Sequence, residues 1–393
     1  MKGREWLAGV VLAGVGLLFG LVVLEAGVRF LHLVPDRFWE PDSLRGVRLT
    51  AGKRGWWTQE DREFVVPVQI NRNGLRDVEH AYAKPPGTFR ILVLGDSFVE
   101  AMHVPLEATF PRLLEADLNT DGKARIEVIA AGVSGYGTAG ELLLYEQEGQ
   151  RYQPDLVVLA FYPGNDVKNN SPTLEDTLQP VYAEDGSLQK VISTEHKKKE
   201  HGWRALLARS AAYHYCRQVL LLRHPQLAQR LVRLGLLKRD AVKTGGHADA
   251  IPVDYGVYAP QPSPPWQAAW QHTEMLLDRL RQEVDTSGAH LMIVVLSSRD
   301  QVYPNWWQDI VSAHPAMQGQ TWDLDGPQHR VEAWCGAHGV PWVALTPVFR
   351  EAAAHGGEPL HYHHDGHFTA AGHRLAATVL RKSLEERRLV PVQ

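Results

Sequence analysis

The sequence predicts an α/β protein: a mostly parallel sheet covered by helices on both faces, an apolar helix ahead of it, and a helical insertion within it. Three observations carry that expectation. Short apolar, β-rich runs alternate with helix-periodic segments through residues 90–161 and again through 265–386. Residues 6–24 hold no charged side chain. Residues 168–262 break the alternation with a polar stretch followed by a basic, leucine-rich one.

The apolar run WLAGVVLAGVGLLFGLVVL, residues 6–24, spans roughly 28 Å at about 1.5 Å per residue, close to a bilayer core. A signal peptide has a shorter apolar region and a small-residue cleavage site. Leu24-Glu25-Ala26-Gly27 is a weak site of that kind, so residues 1–30 are expected to form an uncleaved membrane anchor. Lys2 and Arg4 precede the span and Arg29 and Arg37 follow it, so the positive-inside count is close to a tie. Residues 31–87, with Trp56 and Trp57, read as a juxtamembrane segment with short strands.

Residues 90–94 are apolar, end in Gly95, and read as a buried parallel strand. A helix follows at 108–118, a second strand at 126–129 with a Gly-rich turn after it, a helix at 138–149, and a third strand at 156–161. The rhythm resumes with a helix at 265–286, a strand at 290–296, a helix at 326–338, a strand at 341–345 and a helix at 370–386. Residues 88–387 therefore form the main domain, with 168–262 as a helical insertion or lid. Within the insertion, Lys197-Lys198-Lys199 and the basic region 203–237 are read as a solvated helix face rather than a surface for anionic lipid or polymer.

Composition narrows the function. A chain of 393 residues, 44% hydrophobic, can bury a large core. Lys+Arg 41 against Asp+Glu 45 leaves a net charge of -4, which is no footprint for nucleic acid, and no nucleic-acid partner is expected. Two cysteines, Cys216 and Cys335, exclude a disulfide scaffold and a four-cysteine zinc site, and leave one disulfide open. Twelve tryptophans suit sugar rings, although core packing accounts for most single tryptophans.

Three polar clusters stand where open α/β sheets place their sites, just past strand ends, and a fourth lies near the C-terminus before the last helix. They are Gly95-Asp96-Ser97-Phe98, Gly132-Val133-Ser134-Gly135-Tyr136-Gly137, Gly164-Asn165-Asp166, and the C-terminal His361-Tyr362-His363-His364-Asp365-Gly366-His367. Together they resemble the SGNH (GDSL-type) hydrolase superfamily, whose pattern is matched here by Ser97, Gly135, Asn165, Asp365 and His367. The resemblance covers residues 88–168 and 288–387 and implies a three-layer α/β/α fold. The block Asn71-Arg72-Asn73-Gly74-Leu75-Arg76-Asp77 is similar to members tied to modification of envelope polysaccharide.

A serine hydroxyl needs a neighbouring base to become a nucleophile. The resemblance casts Ser97 as nucleophile, His367 as base and Asp365 as the acid that fixes the histidine tautomer. It also implies an oxyanion hole from the backbone N–H groups of Ser97 and Gly135 and the side chain of Asn165. The commoner superfamily spacing puts the acid three residues before the histidine, where this chain has His364. Some polysaccharide acetyltransferase relatives use the shorter D-x-H spacing seen here. A two-residue offset on a strand points both side chains the same way, and in a loop Gly366 permits a tight bend. Asp365 could instead cap the next helix, a role for which Thr369 is better placed. Asp96 and Asp166 are expected to brace loops.

The rivals are weaker. Ser134 lies in Gly-Val-Ser-Gly, but Tyr136 stands where a G-x-S-x-G elbow needs glycine. His361, His363, His364, His367 and His373 invite a metal, yet no H-E-x-x-H is present and the segment reads as loop; no metal or cofactor is expected. Gly14-Val15-Gly16 has no strand before it and is no dinucleotide loop. The leading expectation is a membrane-anchored esterase or acyltransferase acting on O-acyl, above all acetyl, groups of carbohydrate through an acyl-Ser97 intermediate, with its catalytic domain outside the cytoplasm. The alternatives are a lipid esterase, with the Leu-rich stretch 218–236 as its acyl channel, and a catalytically silent polysaccharide-binding subunit.

Overall fold

The apolar run lies within a single helix, α1 (Lys2–Phe30), in the computed structural model. The structure describes residues 2–59, 61–120, 122, 125–175, 180–183, 187–191, 207, 209–234 and 251–391. Over Glu5–Phe30, α1 is long and apolar enough to cross a membrane or to serve as a signal sequence, with a mean hydropathy of 2.7. The chain divides into two units, the smaller built from α1, residues 56–65 and the stretch 195–246.

Within the smaller unit, the helix Ala211–Arg223 packs on the C-terminal end of α1. Glu25 accepts hydrogen bonds from Ser210 Oγ at 2.7 Å and from the amides of Ala211 and Ala212 at 3.0 and 2.9 Å. Those amides open the helix Ala211–Arg223, so the carboxylate satisfies N–H groups that no helical carbonyl can reach. Val28 is buried against Ala211 and Ala212. The next helix, Pro225–Arg233, exposes Arg230 and Arg233 to solvent. Lys197-Lys198-Lys199 lie outside the described residues.

The larger unit is organised by five strands: β1 (Thr88–Gly95), β2 (Arg125–Gly132), β3 (Leu156–Phe161), β4 (His290–Val295) and β5 (Trp342–Ala344). Their order is β5-β4-β3-β1-β2, and every neighbouring pair is parallel. A central strand of such a sheet is buried on both sides, which is why 91–94 is an unbroken aliphatic run. Its residues alternate between faces.

After β1 come the short helix α2 (Ser97–Glu100), α3 (Phe110–Leu118) and, after β2, α4 (Thr138–Gln147). The later helices are α5 (Pro264–Thr286), α6 (Gly326–His338) and α7 (Ala370–Glu386). Ile91 and Val93 pack with Phe110 and Leu114 of α3 and Leu380 of α7; Leu92 and Leu94 pack with Leu142 of α4, Leu276 of α5 and Val331 of α6. These are the expected three layers. Removing one such leucine to alanine costs about 2–5 kcal/mol.

β1 has β2 on one side and β3 on the other, so the direction of winding reverses between β1 and β3. In open α/β sheets that reversal opens a crevice beyond the carboxyl ends of the strands. Ser97 follows β1 and Asn165 follows β3, so both belong to that crevice.

An antiparallel pair at Trp39–Asp42 and Gly46–Leu49 supplies short strands of the kind expected in residues 31–87, while a second pair at Pro180–Tyr182 and Leu188–Val191 and the helices Pro304–Ala313 and Thr346–Ala354 lay beyond the sequence reading. Both helices carry a proline in their first turn, where its missing N–H costs nothing. Cys216 is exposed, Cys335 is buried, and both are free thiols.

Candidate active site

Ser97 is the first residue of α2, and the helix is capped by its neighbour. Asp96 accepts from Phe98 N at 2.8 Å, which leaves the Ser97 hydroxyl for another partner. That partner is His367, whose Nε2 lies 2.7 Å from Ser97 Oγ. The end of β2 meets this turn so closely that a Cβ on Gly132 would stand 2.3 Å from the Glu100 nitrogen. Only glycine fits there.

His367 stands at the end of a loop closed by an antiparallel bridge between His361 and Phe368. Tyr362 N donates to His367 O at 2.8 Å and Gly366 N to Tyr362 O at 3.1 Å. Gly366 takes φ +87, a left-handed conformation that suits glycine. That bend turns Asp365 back onto the histidine: Oδ1 accepts from the His367 backbone N–H at 3.2 Å and lies 2.6 Å from Nδ1. The next helix is capped by Thr369, which accepts from Gly372 N. Burial opposes a charge on Asp365, but the His367 hydrogen bond and the neighbouring histidines outweigh it and hold the carboxyl down at about 2. A carboxylate on Nδ1–H leaves Nε2 as the acceptor facing the serine.

Asn165 stands at the N-cap position of the short helix Asp166–Asn169, but its side chain makes no capping hydrogen bond. Its Nδ2 donates to Asp96 Oδ2 at 2.8 Å, so the buried Asp96 braces both the serine turn and the asparagine, as a loop-bracing residue should. Burial raises the Asp96 carboxyl above its ordinary value. Asp166 accepts from Tyr162 N at 2.8 Å and ties its own loop. Gly135 turns with φ +82, and its carbonyl accepts from Asn169 Nδ2 at 3.0 Å.

Ser134 faces a carboxyl group, not a histidine. Its Oγ donates to Glu100 Oε2, which also accepts from Ser134 N at 3.0 Å, and Trp39 Nε1 reaches Oε1 at 2.9 Å. Burial pushes the Glu100 carboxyl up to about 8.

The block 71–77 is a brace. Asn71 Oδ1 accepts from the amides of Asn73 and Leu75 at 3.0 and 2.9 Å. Asp77 Oδ2 takes the Ala130 amide of β2 at 2.8 Å. The buried Arg76 donates to the carbonyls of Glu100, Ala101 and Val104 at 3.0, 2.5 and 2.6 Å.

The histidine cluster is scattered. His361 is buried with Nε2 at 3.2 Å from Ser297 O, and His373 Nδ1 accepts from Phe110 N at 3.2 Å. His363 and His364 are exposed. Among the described residues, the donor atoms that lie within 4.8 Å of one another are those of His103, Asp365 and His367. The two rings are stacked at 14° to each other, and near-parallel rings cannot both direct a nitrogen lone pair at one ion about 2.0–2.1 Å away. His103 carried no spacing signal in the sequence: a lone histidine before Val-Pro reads as core. A separate cavity of about 240 Å³, lined by Arg45, Arg48, Arg72, Asn73 and Tyr82 among others, shares no residue with the serine–histidine–aspartate set.

The GDSL-like lipase/acylhydrolase family profile matches residues 93–375. Among solved structures, the acetyl xylan esterase AlAXEase aligns at 13% identity and a TM-score of 0.40, covering 75% of this chain and 100% of its own. A lipase/acylhydrolase from Enterococcus faecalis aligns at 14% identity and a TM-score of 0.37, covering 76% and 96%. A catalytic mutant of Axe2, an acetylxylan esterase from Geobacillus stearothermophilus, aligns at 12% and 0.39, covering 75% and 94%. No curated protein matches the chain. With the family profile spanning the sheet from β1 to α7, the chain belongs to the GDSL-like lipase/acylhydrolase family of hydrolases.

Proposed function

We propose that the protein is a serine esterase or O-acyltransferase that takes O-acyl, above all O-acetyl, groups from carbohydrate through an acyl-Ser97 intermediate. The observation that carries this reading is the unbroken chain from Ser97 Oγ to His367 Nε2 and from His367 Nδ1 to Asp365 Oδ1. His367 takes the serine proton as Oγ attacks the ester carbonyl. Asp365 stabilises the imidazolium that forms. The tetrahedral oxyanion is met by the backbone N–H groups of Ser97 and Gly135 and by the Asn165 Nδ2–H that Asp96 does not occupy. His367 then protonates the departing sugar oxygen, leaving an acyl ester on Ser97. Water or a second sugar hydroxyl attacks that ester, giving hydrolysis or transfer.

Carbohydrate is favoured by an aromatic patch at the start of the helix Pro304–Ala313, beside the loop that carries Asp365 and His367. Half-buried Trp306 packs edge-on against His363 with ring centroids 5.1 Å apart, beside Tyr303 at 4.3 Å. Arg299 lies over the Trp306 ring at 5.2 Å and donates to His363 O. Aromatic rings paired with a cation and nearby hydrogen-bonding groups suit sugar rings. The helix α1 is proposed as a single-pass anchor that leaves the larger unit outside the cytoplasm. The full chain should then be extracted from membranes by detergent and not by salt.

The test is to incubate the detergent-solubilised chain with acetylated oligosaccharides and with short-chain and long-chain esters, scoring release and transfer by mass spectrometry. Acetyl turnover that exceeds long-chain turnover and is lost in Ser97→Ala supports the proposal. Faster long-chain turnover would overturn the carbohydrate reading. A folded Ser97→Ala protein with more than a tenth of wild-type activity would overturn the assignment of the nucleophile.

A further inference from the structure

We infer that His103 is a positioning residue for the Asp365–His367 pair: its ring stacks face to face on the His367 imidazole, and its Nε2 edge faces Asp365 Oδ1. The inference rests on the proposal that His367 is the base and Asp365 its acid. The ring centroids of His103 and His367 are 3.9 Å apart and the planes 14° from parallel. His103 Nε2 lies 3.5 Å from Asp365 Oδ1. Phe98 meets the His367 ring as well, at 4.7 Å and 38°. Between these contacts the base has little freedom to swing away from Ser97.

His103 can serve this way because its own backbone is held on both sides. The Arg76 guanidinium binds the carbonyls of Glu100, Ala101 and Val104, which bracket position 103. Tyr362 Oη donates to the His103 carbonyl at 3.0 Å, which ties the segment to the loop carrying Asp365 and His367. The side chain is 6% exposed. Burial holds the ring neutral, aided by repulsion from His367, His373 and Arg76 and opposed by Asp365. A neutral ring accepts a face-on imidazolium, because a cation over a π face is attracted rather than repelled. His103 thus supports His367 both before and after it takes the serine proton. A misplacement of the base by about 1 Å costs on the order of 10²-fold in rate.

The experiment compares His103→Ala, His103→Phe and His103→Gln with wild type and with His367→Ala, using the full chain in detergent. p-Nitrophenyl acetate serves as the substrate probe, with the rate of Ser97 labelling by a fluorophosphonate as a second readout. The fraction of competent sites is counted by the labelling end point, so that partial misfolding is removed from kcat. His103→Ala should lower kcat about 10–100-fold with KM within about two-fold, and the labelling rate should fall in parallel. His103→Phe, which keeps the flat ring, and His103→Gln, which keeps an N–H donor, should each recover part of the loss. If His103→Ala does not fold, the Phe and Gln variants carry the test. Variants with wild-type kcat per competent site, while His367→Ala is inactive, would overturn the role of His103 alone. An active His367→Ala would instead overturn the assignment of the base.

Discussion

Asp365 Oδ1 lies 2.6 Å from His367 Nδ1 although only Gly366 separates the two residues in the chain. The left-handed turn at Gly366 makes the approach possible. If this pair works as proposed, Asp365→Asn should cut kcat steeply, up to about 10⁴-fold, because an amide lets the wrong histidine tautomer form. His364 is exposed, and His364→Asn should leave kcat within about two-fold of wild type. Steady-state kinetics on an acetyl ester checks both. An Asp365→Asn enzyme as fast as His364→Asn would remove Asp365 from the mechanism.

Asn165 and Asp96 give a second prediction. Asp96 receives one Nδ2–H of the asparagine, and the other is proposed to meet the oxyanion. Asn165→Ala should lower kcat by about 10²–10³ with little change in KM, the signature of a donor used mainly in the transition state. A change confined to KM would make Asn165 a ground-state contact to substrate.

Much of this architecture was legible before any coordinates. Strands β1 and β3 announce themselves because a central strand, buried on both faces, has to be an unbroken aliphatic run, and the polar clusters after β1, β2 and β3 stand out against the apolar segments before them. The pairing of Ser97 with His367 follows the family resemblance, since 270 residues separate them in the chain and no local pattern could join them. Asp96 rather than Ser97 caps the helix that the serine opens. His103 was illegible for a physical reason. Its importance lies in a ring stacked across tertiary structure, and its local context, Met-His-Val-Pro, has neither helical nor strand periodicity. The helices at Pro304–Ala313 and Thr346–Ala354 each carry a proline in the first turn, a residue that reads as a turn as readily as a helix start.

His373 supplies a stability prediction. Burial takes its imidazole down to about 3, and its Nδ1 accepts the Phe110 amide, which only the unprotonated ring can do. The unfolded chain protonates the same group near its ordinary value of 6.5. The folded pKa is the lower of the two, so the neutral histidine contributes its full stability above 6.5. That contribution shrinks as pH falls from there through about 3. Buried Glu100, pushed up to about 8, tilts the whole-protein curve the other way, so the comparison must be made against a variant. Between pH 7.5 and 5.5, wild type should lose about 1.4 kcal/mol of unfolding free energy relative to His373→Gln. Denaturant melts at both pH values measure it, and a pH-independent difference would show that His373 does not titrate between the two states.

Trp306 offers a test that separates the proposed sugar recognition from ester chemistry. The side chain packs on His363 and lies under Arg299, next to the loop that carries Asp365 and His367 but outside their hydrogen bonds. If Trp306 receives a sugar ring, the contact exists with oligosaccharide substrates and is missing with a small aryl ester. Trp306→Ala should then raise KM for an acetylated oligosaccharide about 10-fold, equivalent to about 1.4 kcal/mol of lost binding, and leave kcat nearly unchanged. The same variant should turn over p-nitrophenyl acetate within about two-fold of wild type. Equal losses on both substrates would mean that removing the indole disturbs the loop and with it His367. No loss on either would place the sugar elsewhere on the protein.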